Sequence, residues 1–248
     1  MDYVILTHIH LDHAGGAGAL MEKLPAAELL VHPRGSRHMA DPSKLYAGAT
    51  AVYGEAFMEA NYGKLKPIEP SRIRSPGDEE TVVWQGRPLK FLHTEGHAKH
   101  HFCIWDAQSK NVFTGDTFGL SYREFDTEKG PFLFPTTTPI HFDPDALHRS
   151  IDRIVALNPA GAILTHFSRV ASPEKYVPSL HQQIDDFVGL ALEHKSLESL
   201  SEALMVYLLE NLRKHGVSLA EERCREILGI DVDINAQGLH HWVATRQG

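Results

Sequence analysis

Near the start of the chain, Thr7-His8-Ile9-His10-Leu11-Asp12-His13 offers three imidazoles and one carboxylate, and Gly15, Gly16 and Gly18 follow closely. Neutral imidazole and carboxylate are ligands for zinc, and also for iron or manganese. The preceding run Tyr3-Val4-Ile5-Leu6 is short, apolar and rich in branched residues, which predicts a buried strand. Side chains two apart in extended chain point the same way, so His8 and His10 can converge on one ion. Asp12 and His13 lie past the strand end, where the chain turns, and can face a second ion. The glycines permit close backbone approach before a helix predicted to begin near Ala17.

The same pattern recurs three times downstream. His97 follows Leu89-Lys90-Phe91-Leu92, within Thr94-Glu95-Gly96-His97. Asp116 ends Val112-Phe113-Thr114-Gly115-Asp116, and His166 ends Ala162-Ile163-Leu164-Thr165-His166. All seven polar residues follow apolar runs, which predicts one rim of one sheet, the usual place for a ligand site in layered α/β folds.

In order and type, H-x-H-x-D-H, then Gly-His, Gly-Asp-Thr and Thr-His, the chain resembles the metallo-β-lactamase superfamily, and within it the glyoxalase-II-like hydrolases. The resemblance covers residues 3–170. It implies an α/β fold, the αββα sandwich, with a dinuclear metal site on one edge. By position, His8, His10 and His97 would bind the first metal, Asp12, His13 and His166 the second, and Asp116 would bridge them. The stretch Phe134-Pro135-Thr136-Thr137-Thr138-Pro139 with Phe142-Asp143-Pro144 also resembles a loop-to-helix segment of these hydrolases. Two metals roughly 3.5–4 Å apart hold a hydroxide at neutral pH and polarise the substrate oxygen. Asp12 is assigned two tasks, ligand and catalytic acceptor of the proton of the attacking water.

Departures from the pattern narrow the resemblance. His10 stands where flavodiiron proteins carry Glu. Asp12 is followed by His13, not by the Arg of zinc β-lactamases that use cysteine, and the other dinuclear lactamases lack a carboxylate at the place of Asp116. Antibiotic hydrolysis and diiron oxygen reduction therefore fit poorly. In this superfamily the first histidine motif comes deep in the domain, after several strands, whereas here it begins at His8. The expectation is a fold short at the N-terminus, with first strands missing from the chain as given, or covered by neighbouring copies in a homo-oligomer.

The remaining histidines of the 17 read as supporting residues. His100 and His101 are expected to pack or hydrogen-bond behind the ligands, His93 and His32 to be structural, and His240 and His241 to pack in a terminal helix. In the segment 118–142, which reads as a long loop, Tyr122, Arg123, Phe132, Leu133 and Phe134 are candidates for a substrate pocket. No basic cluster of the kind that grips glutathione stands out.

Turn and cap signals give helices over 17–23, 34–40 and 43–61, and strands over 28–31, 81–84, 89–92, 101–106, 111–114 and 161–164. Asp143 and Pro144 open a helix to about Leu157. After residue 171 only helices are expected: to about His194, over Ser196 to His215, a short one to about Leu228 after the box Ser218-Leu219-Ala220-Glu221, and a last one over Asn235 to Arg246. The domains read as a catalytic domain over 1–171 and a helical extension over 172–248.

Composition bounds the rest. The net charge of −8 gives no general attraction to nucleic-acid phosphates. No run of 18 apolar residues occurs, so no membrane span is expected. Cys103 and Cys224 do not suggest a disulfide framework, which fits the cytoplasm. The reading is a hydrolase of a small-molecule thioester, ester or lactone, using two divalent ions, zinc foremost. The alternatives are a phosphodiesterase or nuclease of the same superfamily and a mononuclear-iron persulfide dioxygenase.

Overall fold

The computed structural model describes residues 1–246, which divide into two compact units. The first comprises Met1–His93 and His100–Trp105, the second Thr94–Lys99 and Asp106 onward.

In the first unit, β1 (Tyr3–Ile5) is followed by α1 (Leu11–Ala14) and α2 (Ala17–Lys23). Then come β2 (Glu28–Leu30), α3 (Pro33–Ala40), α4 (Ser43–Tyr53), α5 (Glu55–Asn61) and β3 (Ile73–Arg74). β1, β2 and β3 form a parallel sheet with Tyr3 opposite Glu28 and Leu29 opposite Ile73. β4 (Thr81–Trp84) and β5 (Arg87–His93) form an antiparallel hairpin, with β6 (Phe102–Asp106) beside β5. Alternation along β1 and β2 sorts side chains between two layers. Val4 and Leu29 pack with Ala17, Met21 and Met39 of the helices. Tyr3, Ile5 and Leu30 pack with Val82, Phe91 and Phe102 of the other strands. This is a helix layer on a sheet on a second sheet. The helix expected over 43–61 is interrupted at Gly54, where φ is +83° and α4 ends.

In the second unit, β7 (Asn111–Gly115) runs parallel to β10 (Gly161–Leu164), and β11 (Arg169–Ala171) pairs antiparallel with β10. Between them, β8 (Leu120–Ser121) and β9 (Leu133–Phe134) make a short antiparallel pair within the segment expected as loop. α6 (Pro144–Val155) starts as expected, Asp143 accepting the Ala146 amide at 2.9 Å. Its buried Ala146, Leu147, Ser150, Ile151 and Ile154 fall on one face. After Ala171 the described residues are helical: α7 (Val177–Glu193), α8 (Leu197–His215) and α9 (Glu221–Arg246). α9 replaces the two helices expected there. It begins with the Cys224 amide on the Ala220 carbonyl, so Ala220, not Ser218, stands at the cap, and it continues through Gly229 without a break. Among the described residues, no helix is long and apolar enough to cross a membrane.

Candidate metal centre

Backbone pairing aims the first set of ligands. Beyond β1, the Leu6 amide donates to Leu30 at 3.0 Å and the Phe102 amide donates to the Thr7 carbonyl at 2.9 Å, which pins the chain next to His8. His8 is fully buried. Its Nε2 lies 2.9 Å from Nδ1 of His10, and the Thr7 hydroxyl lies 3.2 Å from its Nδ1. His10 caps α1 with extended dihedrals (φ −62°, ψ 151°), which carries the strand-like alternation one step further. The chain then makes one helical turn rather than an open loop, and that turn sets Asp12 Oδ2 3.1 Å from Nε2 of His13. The His13 side chain is 4% exposed and that of Asp12 48%, so the carboxylate is the member open to solvent. Donor atoms of His8 and His10, of His8 and His13, and of Asp12 and His13 come within 4.8 Å of each other. Zinc–nitrogen bonds of about 2.0–2.1 Å set tetrahedral ring nitrogens about 3.3 Å apart, a spacing within this limit, so the donor set fits a metal.

The second unit holds its own set. Gly96 precedes His97 at φ +126°, and a Cβ there would sit 2.4 Å from the Leu147 backbone. The turn is fixed from outside, because Asp143 N donates to the Gly96 carbonyl (2.8 Å) and Ser150 Oγ to that of Glu95 (2.6 Å). His97 is fully buried. Its Nδ1 is 2.6 Å from Thr136 Oγ1, which leaves Nε2 to face Asp116 Oδ2 at 3.5 Å. The other oxygen of Asp116, Oδ1, lies 3.7 Å from Nε2 of His166. One carboxylate thus turns each oxygen to a different imidazole, at distances too long for good hydrogen bonds and suited to ligands sharing an ion. The register of β7 and β10 shifts between Ile163 and Leu164, where both strands reach their ligands. Beyond His166, Phe167 and Ser168 take left-handed dihedrals (φ +70° and +78°), and the Leu164 amide closes the turn on Ser168.

The structure also finds partners that sequence reasoning did not. Thr136 holds the outer nitrogen of His97, the kind of contact that fixes a ligand's tautomer and orientation. The loop carrying it is held by Asn235 of α9. Asn235 Oδ1 accepts the Thr137 amide at 2.7 Å, and its carbonyl accepts from the Thr137 hydroxyl at 3.0 Å. Gly238 allows this approach, since a Cβ there would fall 1.4 Å from the Thr137 carbonyl oxygen. The phenols of Tyr53 and Tyr62 are raised above their ordinary pKa by burial and by the charge of Asp12, which places both rings near that carboxylate.

Several expectations are corrected. Tyr122 is half-buried and its hydroxyl is engaged, donating to Asp231 at 2.6 Å, and burial together with that carboxylate raises its pKa. Arg123 is exposed and pairs with Asp126 at 3.4 Å. Phe134 is fully buried core. Phe132 and Leu133 are largely buried but edge a cavity of about 300 Å³. Lys129, Lys175, Lys214 and His215 line the same cavity. Sequence separation hid this basic cluster. His240 is exposed rather than packed. His101 stacks on His8 with ring centroids 4.9 Å apart, and His100 Nδ1 faces the Ile9 amide at 3.5 Å, both in the supporting role expected.

The family model for the metallo-beta-lactamase superfamily matches residues 1–166. The chain belongs to the metallo-beta-lactamase superfamily. A solved archaeal metallo-beta-lactamase superfamily protein from Sulfolobus tokodaii shares its fold with a TM-score of 0.65 at 22% identity, over 96% of this chain and 80% of that one. An acyl-coenzyme A thioesterase of Gallus gallus is 28% identical over 113 residues, 45% of this chain and 40% of its own length. A hydroxyacylglutathione hydrolase of Aeromonas hydrophila subsp. hydrophila is 27% identical over 157 residues, 63% of this chain and 44% of its own. The matches thus span less than half the length of these two relatives. These two relatives are named as a thioesterase and a hydrolase, and this chain carries His/Asp groups able to hold metal.

Proposed function

We propose that the chain hydrolyses a small-molecule thioester, ester or lactone at a centre of two divalent ions, zinc foremost. The observation that carries this reading is the Asp116 carboxylate, with one oxygen toward His97 and the other toward His166. His8, His10 and His97 are assigned to one ion, Asp12, His13 and His166 to the second, and Asp116 to both. The ions supply an acidified water and polarise the scissile carbonyl. Asp12, the exposed carboxylate beside His13, takes the proton of the attacking water as the acyl bond breaks. Thr136 keeps His97 in the tautomer whose lone pair is at Nε2.

Two observations favour a thioester. Relatives are named for acyl-coenzyme A and hydroxyacylglutathione, both thiol carriers with acidic groups. The lysines around the 300 Å³ cavity fit such an anionic carrier. Cys103 and Cys224 are both buried and neither is in a disulfide among the described residues, in keeping with a proposed place in the reducing cytoplasm.

The test is elemental analysis of wild type, His8→Ala and Asp116→Asn, with rates on a panel of thioesters, lactones and phosphodiesters. About two zinc ions per wild-type chain are expected at this centre, fewer in both variants. Asp116→Asn should lower kcat/KM on the best thioester by about 10³-fold, ~4 kcal/mol of transition-state stabilisation. One iron per chain, untouched by His166→Ala, would overturn the dinuclear reading, and turnover confined to phosphodiesters would overturn the substrate class.

A further inference from the structure

A second constellation of histidines and carboxylates lies in the second unit, on α6 and α7. His148 and Asp152 are four apart on α6, and His181 and Asp185 are four apart on α7, so each pair shares one face of its helix. The two rows meet by exchange. His148 Nε2 lies 3.1 Å from Asp185 Oδ1, and His181 Nε2 lies 3.0 Å from Asp152 Oδ1. Between them the two Nδ1 atoms face each other at 2.5 Å, with ring centroids 4.7 Å apart.

An ionised carboxylate only accepts hydrogen bonds, so each Nε2 carries the proton and donates it. Each neutral ring then presents a lone pair at Nδ1, and two lone pairs are aimed at one another. That arrangement needs a positive species between the rings. An imidazole whose outer N–H is held by a carboxylate, with its other nitrogen free, is arranged as a metal ligand.

We propose that His148 and His181 bind one divalent transition-metal ion through their Nδ1 atoms, with Asp152 and Asp185 orienting the rings and water completing the coordination. Imidazole pairs suit zinc, nickel and copper. Tetrahedral bonds of about 2.0–2.1 Å set the nitrogens about 3.3 Å apart, so the rings must part by roughly 0.8 Å. The His148 and His181 side chains are 24% and 25% exposed, which lets an ion reach them from solvent. None of the four residues belongs to the hydrolytic set, and the ion would staple α6 to α7.

The experiment uses the full-length, metal-loaded protein dialysed against Zn²⁺, with metal content and Tm measured. Wild type should hold one equivalent more than His148→Ala/His181→Ala, at equal hydrolytic activity, and only wild type should gain the zinc-dependent rise in Tm from this equivalent. Asp152→Asn/Asp185→Asn should keep the equivalent but bind it 10- to 100-fold more weakly. His148→Gln, of similar bulk, serves if the double variant folds poorly, and should also lack the equivalent. Equal stoichiometry and equal Tm response in wild type and the histidine variants would overturn the proposal. So would an N–H···N proton observed between the rings by NMR in excess Zn²⁺, which would assign a proton to that place.

Discussion

His32 shows how one buried imidazole can tie local geometry to pH. It precedes Pro33 at the start of α3, and its Nδ1 accepts the Arg34 amide at 3.1 Å, the task a Ser or Asp performs at most helix starts. The ring lies 4.1 Å from that of His93, and no partner holds its Nε2 among the described residues. Burial, with the neighbouring His93, lowers its pKa to about 4. The folded state therefore keeps this ring neutral at a pH where the unfolded chain, near 6.5, already binds a proton. Its contribution is complete above pH 6.5 and is lost as the pH falls toward 4, by roughly 3 kcal/mol over that window. Urea unfolding across pH 4–7 should show this slope, and His32→Asn, which keeps an acceptor at the cap, should flatten it. An unchanged slope would assign the acid sensitivity to other groups.

At the level of elements, α9 reaches the loop beside His97 through Asn235. α9 carries Asn235, Asn235 holds Thr137, and the neighbouring Thr136 holds His97. Asn235→Ala leaves the Thr137 amide buried without its acceptor, at a cost of about 1–3 kcal/mol. It should also loosen the loop and lower activity. Thr136→Val, which removes only the hydroxyl on His97, should lower metal affinity or kcat/KM by 10- to 100-fold with a smaller effect on Tm. Rates and melting curves of the two variants, side by side, separate the roles. If Asn235→Ala melts early yet keeps full activity, α9 is a packing element only.

For the whole molecule, metal binding and folding are coupled, because an ion that binds the native chain and not the unfolded one shifts the folding equilibrium. Metal occupancy should then stabilise the native chain by mass action, about 2.7 kcal/mol when the free ion stands at 100 times its Kd. For a chain of this size that corresponds to about 5–10 °C in Tm. Chelation should lower the Tm of wild type by about this amount more than it lowers that of His8→Ala or Asp116→Asn, which keep only the ion between His148 and His181. An equal response in all three would place the stabilising ion elsewhere.

What could be read from the sequence was local. The short branched apolar run of β1 and the strand-end positions of His8, His10, Asp116 and His166 follow from the reach of a few peptide units and from the ligand chemistry of imidazole and carboxylate. So does the Asp143 cap of α6. The boundaries of α2, β4 and β10 were legible for the same reason. Contacts between distant segments were not. Thr136 on His97, Asn235 on Thr137 about a hundred residues away, and the facing rings of His148 and His181 depend on which elements pack together, and no periodicity encodes that. The unbroken α9 belongs here too. The sequence reads as one helix to about Leu228 and another from Asn235, yet burial of Leu228, Val232, Asn235 and Leu239 along one face outweighs the modest cost of Gly229 in a helix. Tertiary packing decided which polar residues support the centre, because only packing can bury them beside it.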